Sequence, residues 1–90
     1  MKKELIKIAM TTAAAKALDY KNINIQADVE EVIKHVMYHL DSKGESKVCA
    51  IAAASLALKY KQEFLSDKQI MQRIMNESEE VLASVCPDVN

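Results

Sequence analysis

The chain has 90 residues, half of them hydrophobic, with a net charge of −1 and only one glycine and one proline. That length sets a single domain, residues 1–90, whose folding buries roughly 64% of the surface an unfolded chain of this mass would expose. So few chain breakers exclude an all-β fold and a disordered chain, and the near-neutral balance excludes a globally basic nucleic-acid binder.

The expected class is all-α, a compact four-helix bundle made of two pseudo-repeated helical hairpins. Helix 1 is expected over residues 2–20, with Leu5, Ile6, Ala9, Met10, Ala13 and Ala17 forming a broad apolar stripe. Its opening, MKKELIKIAM, is charged but has no uninterrupted apolar core, so it does not read as a secretory leader. The segment NINIQ, residues 22–26, breaks the periodicity with β-branched and turn-prone residues. Helix 2 starts at a capping pair, Asp28 with Glu31, and carries Val29, Val32, Ile33, Val36, Met37 and Leu40 on one face. Gly44 supplies the left-handed residue expected after that helix, and Ser46 is placed as the cap of helix 3, KVCAIAAASLALKYKQEF. The first half of helix 3 is apolar almost all round, which calls for a central position or a covering partner. Helix 4 begins at Ser66, with Gln69 completing a capping box and Leu65 and Ile70 a hydrophobic staple. Ile70, Met71, Ile74, Met75, Ser78, Val81, Leu82 and Val85 share its inner face, and Pro87 ends it, leaving 86–90 as a short tail.

The chain also repeats itself. Aligning Lys7–Lys21 with Lys47–Lys61 matches AAAKALDYK against AASLALKYK. The following helices also align after a two-residue slip, setting Val29, Val32, Ile33 and Leu40 against Met71, Ile74, Met75 and Leu82. Net charge alternates in step: +3 over 1–21, −2 over 28–43, +2 over 45–61 and −4 over 62–90. The reading is two hairpins, about 7–40 and 47–82, each a basic alanine-rich helix followed by an acidic amphipathic one. Alanine lets helix axes approach closer than the usual separation of about 8–10 Å, so helices 1 and 3 are expected to cross, with 2 and 4 outside. Tyr20 and Tyr60 would close equivalent ends, rings buried and hydroxyls wet.

Few constellations could carry chemistry. Glu31, His35 and His39, at i, i+4 and i+8, are the candidate metal ligands, since two imidazoles one turn apart can share a divalent cation. Lys2, Lys3 and Lys7 with Lys59 and Lys61 would form one basic patch if the repeat brought them together. Cys49 falls in the most apolar part of helix 3, where a thiol acts as a small hydrophobe, and Cys86 has no evident activator. Both read as reduced thiols of a cytoplasmic protein. One glycine cannot build a phosphate-binding loop, and no run of eighteen apolar residues could span a membrane.

The stretch AAASLALKYKQEF, thirteen residues of the ninety, resembles the central helix of a cyclin box, with Lys61 where that family usually has an acid. The resemblance brings no function with it. The expected function is a small interaction module, non-catalytic and without a cofactor, that pairs with itself as a homodimer or with another helical protein. A nucleic-acid-associated regulator using the five lysines is the alternative, and a metal-binding bundle using His35 and His39 a second.

Overall fold

Alanine decides how the helices meet. A computed structural model describes residues 2–41 and 44–85, the side chain of Lys2 excepted. They form four α-helices: α1 (Lys2–Ile23), α2 (Val29–His39), α3 (Glu45–Gln62) and α4 (Asp67–Val85). Lys61, near the end of α3, reaches Asn22 near the end of α1 at 2.7 Å. Lys7, near the start of α1, meets Glu79 near the end of α4 at 2.8 Å. Leu5 and Ile8 share a groove with His39 and Leu40 from the end of α2. Hence α1 and α3 run parallel, with α2 and α4 antiparallel to them, the up-down-up-down order of a bundle.

The bundle is not square. α1 and α3 make the most extensive contact of any helix pair, whereas α2 and α4 do not touch among the described residues. Ala13, Ala14 and Ala17 of α1 and Ala50, Ala53, Ala54 and Ala57 of α3 are all fully buried. Methyl-sized side chains on both surfaces allow this diagonal approach, which larger residues would prevent. The core is thereby divided in two. On one side Ile6, Met10, Ala14 and Leu18 join Cys49, Ala53, Ala57 and Tyr60 and receive Ile70, Ile74 and Leu82 of α4. On the other, Ala13 and Ala17 join Ala50, Ala54 and Leu58 and receive Val32 and Val36 of α2. The central placing of the alanine-rich pair matches the sequence expectation.

Caps and boundaries agree in part. Gln69 N–H donates to Ser66 Oγ at 3.2 Å and Ser66 N–H to Gln69 Oε1 at 3.0 Å, completing the capping box of α4. Leu65 packs on the cluster that holds Ile70, as a staple should. Glu31 N–H donates to Asp28 Oδ1 at 2.8 Å. Glu31 does not return the bond through its carboxylate, which takes the Tyr20 hydroxyl instead. Helix 1 runs three residues past its expected end because Asn24 N–H still finds Tyr20 O at 2.8 Å, and Asn22 is held from α3 and α4. Ser46 is not the cap of α3. That position belongs to Gly44, which uses its freedom at φ 60° to turn the chain, with no side-chain cap bond, and α2 already ends at His39.

The end of α3 departs furthest from expectation. Phe64 N–H donates to Lys61 O and Leu65 N–H to Tyr60 O, the two bonds of a Schellman motif. The residue that must be left-handed in that motif is usually glycine. Here it is Phe64, at φ 66°, a conformation that costs a bulky residue about 1–2 kcal/mol.

Candidate interaction surface

Glu31, His35 and His39 do lie along one face of α2, but they do not converge. The His35 and His39 rings stand 4.4 Å apart and Tyr20 covers His35 at 4.1 Å. Glu31 Oε2 accepts the Tyr20 hydroxyl at 2.9 Å, which also holds that phenol above its ordinary pKa. Burial, with smaller contributions from the charges of His39 and Lys16, pushes His35 below the ordinary imidazole range. Among the described residues no three His, Cys, Asp or Glu side chains group around a metal-sized space. The arrangement is an aromatic stack joining α1 to α2.

Of the five lysines, the four whose side chains are described, Lys3, Lys7, Lys59 and Lys61, do not form one patch. Lys3 and Lys7 both hold Glu79, at 3.6 and 2.8 Å, at the start of α1. Lys61 is at the other end of the molecule, between Asn22 and Asp67. Fifteen residues of helix separate Lys7 from Asn22, about 22 Å at 1.5 Å per residue. Although α1 and α3 run parallel, the lysines expected together sit at opposite ends of those helices. Lys59 is exposed, and the Lys2 side chain lies outside the described residues. The Glu79 carboxyl is held below the ordinary carboxylate range, chiefly by its bond from Lys7.

Cys49 is fully buried among apolar neighbours, as its helix position implied. Cys86 and Pro87 lie outside the described residues. Each of Tyr20 and Tyr60 bonds its hydroxyl to a glutamate of the helix that follows its own, Tyr20 at an exposed position. Tyr60 donates to Glu77 at 2.5 Å, with the Arg73 guanidinium 5.1 Å from its ring.

What the structure leaves uncovered is apolar. Leu5, placed by periodicity in the inner stripe of helix 1, is 66% exposed, Ile8 is 61% and Met75, expected in the core, is 61%. Ile8 and Thr12 form the shared wall of two grooves. One of about 330 Å³ continues to Met75 and Ser78 of α4, and one of about 290 Å³ continues to His39 and Leu40 of α2. The outer side of α1 is therefore a continuous ridge, Leu5–Ile8–Thr12, with a furrow on either flank. Sequence reading missed it because α1 is apolar on both sides: its inner face meets α3, and its outer face is left uncovered among the described residues. Comparison with protein families, curated proteins and solved structures gives no match.

Proposed function

We propose that the chain is a small, non-catalytic interaction module that pairs with a second copy of itself through the outer side of α1. The observation that carries this is the exposure of Leu5, Ile8 and Met75 on one ridge-and-furrow surface. Three large apolar side chains together in water are costly, and a small core gains stability from covering them. A second copy fits the charge of the rim. One furrow is bordered by Lys16 and Asp41, the other by Lys7 with its partner Glu79, so a two-fold contact can set cations against anions.

Two hairpins of one plan underlie this module. With α2 aligned on α4 as Val32 on Ile74, the residues touching Tyr20, at 31 and 35, correspond to those touching Tyr60, at 73 and 77. The acid and its one-turn neighbour have changed places between the halves, but in each the tyrosine hydroxyl donates to a glutamate of the following helix. Lys21 folds onto the connection that follows its helix, and Lys61 reaches across the next connection to Asp67, the first residue of α4.

Sedimentation over a wide concentration range tests the pairing. The wild type should move from monomer to dimer mass, and Ile8→Glu should stay monomeric while keeping its helical circular dichroism. A wild type of constant monomer mass refutes self-pairing.

A further inference from the structure

Large apolar residues are also exposed at one end of the molecule, away from the Leu5–Ile8 ridge. The α1–α2 and α3–α4 connections meet there, laced by Asn22, which accepts from Lys61 and donates to Asp67 at 2.6 Å. Phe64 and Ile25 of these two connections, and Ile23 at the last position of α1, have 96%, 75% and 81% of their surface in water. Turns are ordinarily polar, and a left-handed turn position ordinarily takes glycine or asparagine. At Phe64 both rules are broken in one residue, which adopts a left-handed backbone and presents an aromatic ring that nothing among the described residues covers. The Schellman bonds of α3 account for the left-handed backbone but not for the choice of phenylalanine, whose ring they leave in water.

The connections are also held ready. Lys21 Nζ ties down Ile25 O at 2.7 Å, and the Schellman bonds fix Phe64. We propose that this tip inserts into the water–lipid interface of a membrane, seating Phe64, Ile23 and Ile25 at the headgroup level while the helices stay in water. A lipid surface suits the tip because it deforms around side chains that stand almost clear of their neighbours, whereas a protein partner would need a matching pocket for each. Charge permits it. Residues 21–28 and 59–68 carry Lys21, Lys59, Lys61 and Lys68 against Asp28, Glu63 and Asp67, four against three, a net +1. No helix of the described residues is long and apolar enough to cross a membrane, so the contact is peripheral. Three side chains bury less than one acyl chain, so binding is marginal and reversible.

The test is co-sedimentation with phosphatidylcholine vesicles at about 5 mM lipid, a concentration suited to affinities below that of a single acyl anchor. The wild type should pellet with the vesicles and continue to do so in about 0.5 M NaCl, since the contact is apolar and not ionic. Phe64→Asn should bind at least about tenfold more weakly, from the apolar area removed, yet melt at a higher temperature because asparagine tolerates the left-handed turn. Ile23→Ser with Ile25→Ser should lose binding with an unchanged helical spectrum, and Ile8→Glu, aimed at self-pairing, should bind as the wild type does. A wild type that stays in the supernatant, or a Phe64→Asn variant that pellets equally, overturns the proposal.

Discussion

Ala53 is fully buried in the seam where α1, α3 and α4 meet. Replacing it with leucine adds three heavy atoms where the seam has space for a methyl group. Ala53→Leu should cost about 1–3 kcal/mol, read as a lower urea midpoint. An unchanged midpoint would mean that this face is not tightly packed. Other residues show where a local pattern misleads. Met75 has the spacing of a core residue yet faces water, because α4 meets α1 and α3 through Ile70, Ile74 and Leu82 and no fourth helix lies beyond. Phe64 has no local pattern at all, since nothing in its neighbourhood announces a left-handed phenylalanine.

The starts of α2 and α4 were the most legible features, because a side-chain cap is a contact between residues three positions apart. Ser66→Ala removes the acceptor for Gln69 N–H and should cost about 1 kcal/mol, again measurable by urea unfolding. A neutral result would mean that water serves the first turn of α4 equally well. Asp28 makes only half the expected pairing, since Tyr20 claims Glu31 from across the α1–α2 joint. Helix ends were less legible for the same reason in reverse. α1 continues through Ile23 because Lys61 and Asp67, some forty residues away, hold Asn22, and a local reading cannot foresee them.

At the scale of the whole molecule, Asn22, Lys61 and Asp67 join the two halves of the chain at one end. Lys61 sits 2.7 Å from Asp67 Oδ1, and that ion pair, more than the bond from Asn22, holds the Asp67 carboxyl below its ordinary value of 3.8. A carboxylate depressed in the folded state stabilises fully above the ordinary value, and the contribution fades as pH falls through the lower folded one. Because the pair is partly exposed, the effect is modest. The melting temperature of the wild type should therefore fall more steeply on acidification below the ordinary carboxylate range than that of Asp67→Asn. Parallel curves would show that the lacing contributes nothing.

The residues by themselves determined an all-helical chain, the starts of α2 and α4, the buried Cys49 and the inward alanines of α1 and α3, because each follows from periodicity or from neighbours within one turn. The central pairing of α1 with α3 was legible in their alanines; tertiary structure alone decided that the two run parallel and that α2 and α4 do not touch among the described residues. It also decided that Glu31 serves Tyr20, that the lysines are split between two ends, and that Leu5, Ile8 and Phe64 face water. A helix apolar on every side does not reveal which side its neighbours will cover. That depends on close approach between methyl-lined surfaces far apart in the chain.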